Sequence, residues 1–328
     1  MITSIEISHL RGIREGKLEN LTPLTILVGP NGSGKSTVLD AVLIGASANV
    51  GEGIGRAVLR HSGITRGSQW LHWRAEHTEP AMILVETSAG SIRRCVLSHL
   101  RPNKTRCVTD WRIAGDAASE TVDVDFSDSE HGKYDAKSRV LADVRSVKLV
   151  ESIGEKLRPP LHALLTVCSQ RGQRAEVVDR MRQVVPAIKD VLILTEGETP
   201  IVHIEYPSHS VPAALSGDGI HSLLRVCLEL AAGPNEVVLL EEPETHQHPA
   251  AMHQTVRGIL AAVRRGAQVI FTTHSMELID SFVAQSDESD LDKLSLFRLG
   301  LHEGKLISVR VPGKDVAFAR GEIERDLR

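Results

Sequence analysis

The stretch Gly29-Pro-Asn-Gly-Ser-Gly-Lys-Ser-Thr37 follows the apolar run Leu24-Thr-Ile-Leu-Val28 and opens a second run rich in Val, Leu and Ile. It fits the phosphate-cradling pattern G-x-x-x-x-G-K-[ST] at every position. Gly29, Gly32 and Gly34 free the loop, with Pro30, Asn31 and Ser33 between them, to curl its N–H groups toward phosphate oxygens. Lys35 is spaced to reach the β- and γ-phosphates, and Ser36, with Thr37 beside it, to offer a hydroxyl to Mg2+. The helix expected from Lys35 to about Ala46 aims its positive end at the same anion. Its Val38, Leu39, Val42, Leu43 and Ile44 cover nearly every side, which marks it as buried. Strand, glycine loop and apolar helix in this order predict a nucleoside-triphosphate site on an α/β sheet.

Further along, Leu215-Ser-Gly-Asp-Gly219 precedes a helix with Ile220, Leu223, Leu224, Cys227, Leu228 and Ala231 on one face and a stop at Gly233-Pro234. Ser216, Gly217 and Gly219, with Asp218 among them, put a hydroxyl and free N–H groups at that helix N-terminus. Such an end suits an anion contact to a triphosphate held by another subunit. Val237-Val-Leu-Leu240 reads as a central parallel strand that delivers Glu241 and Glu242 at its C-terminal end, where open α/β sheets place their ligands. Glu241 is the candidate Mg2+ ligand and Glu242 the candidate base for the attacking water. After the loop from Pro243 to His248, Pro249 starts a helix to Arg264-Arg265 that Gly266 closes. His246 and His248 have a spacing open to metal but no third ligand nearby, and read better as a dimer-contact loop. Ala267 to Phe271 reads as another buried strand, ending in Thr272-Thr-His-Ser275, where His274 can donate to the γ-phosphate and sense its loss.

Together the P-loop, Leu215–Gly219, Val237-Val-Leu-Leu-Glu-Glu-Pro-Glu-Thr-His-Gln-His-Pro249 and Thr272–Ser275 resemble the ABC-type ATPases of the SMC, RecF and OLD (overcoming lysogenization defect) group. The opening Ile5-Glu-Ile-Ser-His-Leu-Arg-Gly-Ile13 resembles that group's first strand and turn, and Asp326-Leu-Arg328 the tail of its compact bacterial members. The resemblance implies an α/β P-loop NTPase of ABC type, with a mixed-sheet lobe around the P-loop and a helical lobe carrying the signature motif. It implies ATP and Mg2+ as cofactors and a head-to-head homodimer that sandwiches two nucleotides. By it Lys35 and Ser36 hold phosphate and Mg2+, Ser216 and Gly217 act in trans, Glu241 is the Walker B acid, Glu242 the catalytic one, His274 the switch, and Asn31 lies beside the γ-phosphate.

Three departures stand out. The Walker B acid of the group is usually aspartate, and Glu241 is one methylene longer, which points to a different water arrangement around Mg2+ and slow turnover. Asp218 replaces a small or neutral residue and brings a carboxylate near a triphosphate. For the glutamine loop, Gln69 in Thr65-Arg-Gly-Ser-Gln-Trp70 is the choice on position, with Gln170 or a plain surface amide as alternatives.

The interval from Lys35 to Ser216 is too long for a transporter's helical insert and too short for coiled-coil arms, and no part of it sustains a/d heptads. The expected division is residues 1–125 as the first part of the ATPase lobe, 126–234 as a helical lobe, and 235–328 as the rest of the ATPase lobe. A hairpin of Ala81–Thr87 and Ser91–Leu97 turns at Ser88-Ala-Gly90, and a helical lobe is expected from Lys133 to Lys189, interrupted at Arg158-Pro159-Pro160. Met276 to Arg328 read as a helix, a strand pair and a short last helix, with no room for a carboxylate-rich nuclease domain. The resemblance therefore suggests a separate effector protein, a nuclease or toxin, as in bacterial anti-phage systems.

The formal net charge of the 328-residue chain is −4, so no global argument for nucleic acid exists, yet the charge is uneven. Arg93, Arg94, Arg101, Lys104, Arg106 and Arg112 stand against Asp110, and then Asp116, Glu120, Asp123, Asp125, Asp128 and Glu130 form an acidic run read as an exposed connector. A second basic segment spans Lys137 to Lys189. Either basic segment is a solvated face or a surface that tracks duplex DNA in a repair or chromosome-maintenance role. A slow-turnover ATP-binding scaffold is the further alternative. Cys95, Cys107, Cys168 and Cys227 form no C-x-x-C pair and read as reduced and buried. No apolar run of about 18 residues exists to span a membrane, and the N-terminus lacks a signal-peptide pattern, so a cytoplasmic location is expected.

Overall fold

The computed structural model describes residues 1–60, 67–76, 78–101, 103–113, 116–126, 135–136, 146–151, 159–231, 233, 236–321 and 326–327. Asp128, Glu130, Lys137, Arg139, Arg145, Lys156, Arg158, Pro234 and Arg328, on which expectations were placed, fall outside these residues. The chain opens with β1 (Ile2–Leu10), β2 (Ile13–Glu19) and β3 (Leu24–Val28), then the P-loop and helices α1 (Lys35–Ala46) and α2 (Val50–Leu59). An antiparallel run follows, β4 (Ala81–Thr87), β5 (Ile92–Arg101), β6 (Lys104–Ile113), β7 (Asp116–Asp125) and β8 (Asp135–Ala136), and then β9 (Val147–Glu151). Helices α3 (Leu161–Gln170) and α4 (Arg174–Val184) lead to a small sheet of β10 (Asp190–Glu196), β11 (Thr199–Glu205) and β12 (Ser210–Pro212), and to α5 (Asp218–Glu229). The last third holds β13 (Val237–Glu241), α6 (Pro249–Arg264), β14 (Gln268–Thr272), α7 (Met276–Gln285), α8 (Glu288–Asp292), β15 (Leu294–His302), β16 (Lys305–Pro312) and α9 (Gly313–Gly321).

The large sheet runs β8-β7-β6-β5-β4-β1-β2-β16-β15-β3-β14-β13-β9. Its parallel part is β15, β3, β14, β13 and β9, and residues there alternate between two cores. Val237, Leu239 and Ile270 face α1 and α2, whereas Val238, Leu240, Val269 and Phe271 face α6 and α7. Burial on both faces explains why these strands read as unbroken apolar runs. β3, β13 and β14 all end on the same edge, which brings the P-loop, Glu241 and Thr272 together. The antiparallel part joins the parallel part where β2 meets β16, through the single pair Lys305 and Glu15. Gly16 makes that seam possible, since a Cβ there would lie 2.5 Å from Cβ of Leu306. A third core, built from α3, α4, α5 and the small sheet, is separate in composition from the other two.

Several expectations change. The acidic run is not a connector, because Asp116–Asp125 is β7, paired along its length with β6. Val122, Val124 and Phe126 alternate inward while Asp123 faces Lys104 and Arg106, so the charges that looked like a loop are one face of a strand. The basic run of 91–115 lies on β5 and β6 beside it. Arg93 is buried with Nη1 donating to the Ser47 carbonyl, and Arg106 grips Asp123 through Nε and Nη2 at 2.7 and 3.1 Å, so neither is a phosphate-tracking side chain. In the second basic segment Lys148 and Arg171 meet Glu236, Arg174 meets Asp190, and Lys189 meets Glu205, whereas Arg182 donates to the carbonyls of Ile188 and Lys189. Between Lys133 and the start of α3 the described residues are strands rather than helix, and β9 extends the large sheet beside β13. The four cysteines are free and buried, but Cys95 and Cys107 are not scattered in space: their Sγ atoms lie 3.7 and 3.6 Å from Thr109 Oγ1.

Candidate functional site

Gly29, Gly32 and Gly34 have φ of 146°, 77° and 92°, a left-handed path that glycine adopts without strain. A Cβ on Gly29 would lie 2.3 Å from the Leu299 carbonyl, so the loop is wedged against β15. Pro30, Asn31 and Gly32 are exposed at its crest, and Thr37 is half-buried on α1. Ser33 Oγ is buried inside the loop with no hydrogen-bond partner among the described residues, a donor suited to an oxygen-rich ligand. Lys35 Nζ donates to the carbonyls of Gly29 and Pro30 at 2.9 and 3.0 Å. Burial pushes the Lys35 ammonium below its ordinary value, and the nearby charges of Glu242 and Glu241 work against that shift.

Ser36, on the first turn of α1, donates its hydroxyl to Glu241 Oε1 at 2.5 Å across the gap between α1 and β13. Ser36 and Glu241 are hard oxygen donors that converge on one point, the donor set Mg2+ prefers. Glu242 sits at φ 45°, a left-handed conformation that costs a non-glycine residue about 1–3 kcal/mol. Its N–H bonds the Thr272 carbonyl at 3.1 Å, and its Oε1 lies 3.4 Å from His274 Nε2. Glu244 lies beneath, accepting from Thr273 Oγ1 at 2.5 Å and from the His274 N–H at 3.3 Å. Burial raises the Glu244 carboxyl above its ordinary value despite those bonds. One site therefore gathers Lys35, Ser36, Glu241, Glu242 and His274.

Two predicted groups stay apart from it within the chain. Ser216 donates its hydroxyl to the Ala213 carbonyl at 2.6 Å, and the Gly219 Cα faces the His246 carbonyl. No hydrogen bond or ion pair among the described residues links Ser216, Gly217, Asp218 or Gly219 to the P-loop. Leu215 next to them is 74% exposed. Asp218 is the first residue of α5, where the helix dipole favours a carboxylate, which gives that unexpected acid a local reason. Gln69 lies in a short 3-10 turn over Gly67–Leu71, with no side-chain bond to the P-loop or to Glu241 among the described residues, and Gln170 is exposed at the end of α3. His248 is not free for metal at Nδ1, which accepts the Ala250 N–H and caps α6; His246 has φ 63° in the loop before it.

The structure also brings in residues that the motifs did not mark. Arg60, just past α2, reaches Glu241 Oε2 with Nη1 at 2.9 Å and Asp40 Oδ1 with Nε at 2.9 Å. Arg11, in the turn between β1 and β2, reaches Asp40 Oδ2 with Nε at 2.7 Å. A signal for this network exists in the sequence: Asp40 is the lone acid in the apolar helix that starts at Lys35, and a buried carboxylate there requires a cation.

The fold is that of SMC head domains, an α/β P-loop fold of ABC type. Residues 4–59 match a family described as "AAA domain", and residues 200–280 one described as "AAA domain, putative AbiEii toxin, Type IV TA system". A Helicobacter pylori protein named ATP/GTP phosphatase is 19% identical over 90% of this chain and 91% of its own length. An uncharacterized protein of Methanocaldococcus jannaschii is 42% identical over 67 residues, 20% of this chain, and the match spans 31% of that relative. Among solved structures, the SMC head bound to the C-winged helix domain of ScpA matches at TM-score 0.57 and 15% identity, covering 95% of this chain and 98% of that one. The SMC head domain with an extended coiled coil bound to the C-terminal domain of ScpA, derived from Pyrococcus furiosus, matches at TM-score 0.54 and 12% identity, covering 99% of each. At such identities the likeness is one of fold. No helix among the described residues is long and apolar enough to cross a membrane.

Proposed function

We propose that the chain binds and hydrolyses ATP, and that two copies close head to head around two nucleotides. The observation that carries the reading is the convergence of Ser36, Glu241, Glu242 and His274 on the mouth of the P-loop beside Lys35. In this reading the loop N–H groups and Lys35 hold the phosphates, and Ser36 and Glu241 hold Mg2+, which neutralises charge on the phosphate oxygens when bound. Glu242 orients and deprotonates the attacking water, and His274 fixes the Glu242 carboxylate and contacts the γ-phosphate. Ser216 to Gly219 serve the nucleotide of the second copy. That role is supported by the lack of a bond from them to the P-loop of their own chain among the described residues, and by the exposed Leu215 at their side. Closure is a population shift, since only the triphosphate gains contacts across the interface. Gln69 is retained as the candidate glutamine that reports the nucleotide state.

The downstream partner in this proposal is a separate effector protein, a nuclease or toxin, in defence against phage. The toxin and Type IV TA wording of the family matched at residues 200–280 supports that context. The test uses Glu242→Gln in saturating Mg-ATP. The expected result is a dimer by light scattering and loss of phosphate release; a variant that stays monomeric discards the dimer mechanism, and unchanged phosphate release discards the role of Glu242.

A further inference from the structure

Arg60 belongs to no motif, yet its side chain is 2% exposed and lies on the same carboxylate as Ser36. Besides the contacts of Nη1 and Nε, its Nη2 stands 3.5 Å from Glu241 Oε1 and 3.4 Å from the Ser36 carbonyl. Asp40, with a fully buried side chain, anchors the guanidinium from behind, and Arg11 anchors Asp40 while donating to the Ala57 carbonyl at 2.6 Å. Arg60 is thereby fixed, charged and shielded from water. One oxygen of Glu241 meets Ser36 while the other meets Arg60. A divalent ion at the Ser36–Glu241 pair would face a fixed positive charge a few ångströms away in a poorly solvated setting, where like charges repel strongly. A polyphosphate would offset that repulsion.

We propose that Arg60 is a resident counter-cation of Glu241, a positioning residue that keeps the Ser36–Glu241 pair from taking a divalent ion by itself, so that the site accepts metal only together with a polyphosphate. The inference rests on the reading of Ser36 and Glu241 as the metal pair, and its test is metal binding rather than turnover.

The probe is Mn2+, titrated into nucleotide-free protein and followed by the electron-paramagnetic-resonance signal of the free ion. Wild type and Arg60→Lys bind it weakly. Arg60→Gln binds it at least about tenfold more tightly, because a like charge next to the ion is gone. Glu241→Gln added to Arg60→Gln removes that gain. Arg60→Gln leaves Asp40 with one cation fewer, so Asp40→Asn/Arg60→Gln serves as the second variant and carries the same expectation. A folded variant of either kind that gains no affinity for Mn2+ overturns the proposal, as does wild type that binds Mn2+ tightly without nucleotide. Wild type that binds Mn2+ with ATP no better than Mn2+ alone overturns the nucleotide reading and this inference together. Wild type that does bind Mn2+ with ATP, beside an Arg60→Gln protein without gain, overturns this inference alone.

Discussion

Asp40 shows how much one residue can hold. Its side chain has no exposed surface, and two arginines from different parts of the chain close on it, one after α2 and one between β1 and β2. Such a cluster adds little net stability over an apolar core when intact, but removing the central charge leaves buried cations uncompensated. Asp40→Ala is expected to lose about 3–5 kcal/mol of unfolding free energy, measured by denaturant titration. A loss below about 1 kcal/mol would mean that water reaches the cluster and solvates both arginines. Glu244 gives a dependence on pH. Its carboxyl is raised above 4.5 by burial, so the folded state binds its proton more tightly than the unfolded chain. That contribution is full below the unfolded value and fades as pH rises through the folded one. Glu244→Gln keeps the acceptor for Thr273 and the His274 N–H without the titration. The melting temperature of wild type relative to Glu244→Gln should therefore fall as pH rises from about 4 to about 8; a difference that stays flat across the range contradicts the assignment.

At the level of elements, the seam between β2 and β16 is the narrowest link in the large sheet. Leu306 fills the space that a side chain on Gly16 would need, so Gly16→Val must push the two strands apart. The expected cost is about 1–3 kcal/mol, seen as a lower melting temperature. The sequence made some elements plain and hid others for physical reasons. β3, α1, β13, α6 and β14 were legible because each carries its own signal: an apolar run, a glycine loop, or Pro249 at a helix start. β7 was misread since charge dominates its composition, although Val122, Val124 and Phe126 kept a period of two underneath. β9 was missed because five residues interrupted by Lys148 take their identity from pairing with β13, where Val147 meets Val237 far along the sequence. Of the residues gathered at the mouth of the P-loop, Lys35, Ser36, Glu241, Glu242 and His274 were marked by local pattern, whereas the contact of Arg60, just past α2, with Glu241 on β13 is one that no local pattern announces.

For the molecule as a whole, the proposed dimer places one test on a residue far from any phosphate chemistry. Leu215 is 74% exposed at the edge of the Ser216–Gly219 turn, where an apolar side chain gains nothing from water. Leu215→Asp should leave the melting temperature of the monomer unchanged and weaken association in Mg-ATP about tenfold, which corresponds to about 1.4 kcal/mol. Sedimentation of Glu242→Gln with and without the added substitution reads this directly, and equal dimer fractions would move the interface elsewhere. The unfavourable backbone of Glu242 has a consequence at this scale as well. Glycine would occupy that left-handed position with ease, so the needs of folding and those of the proposed chemistry pull against each other at a single α-carbon. A laboratory selection for heat tolerance alone would be drawn to that position early, and under the proposed role of Glu242 its winners would be sturdier proteins that no longer release phosphate.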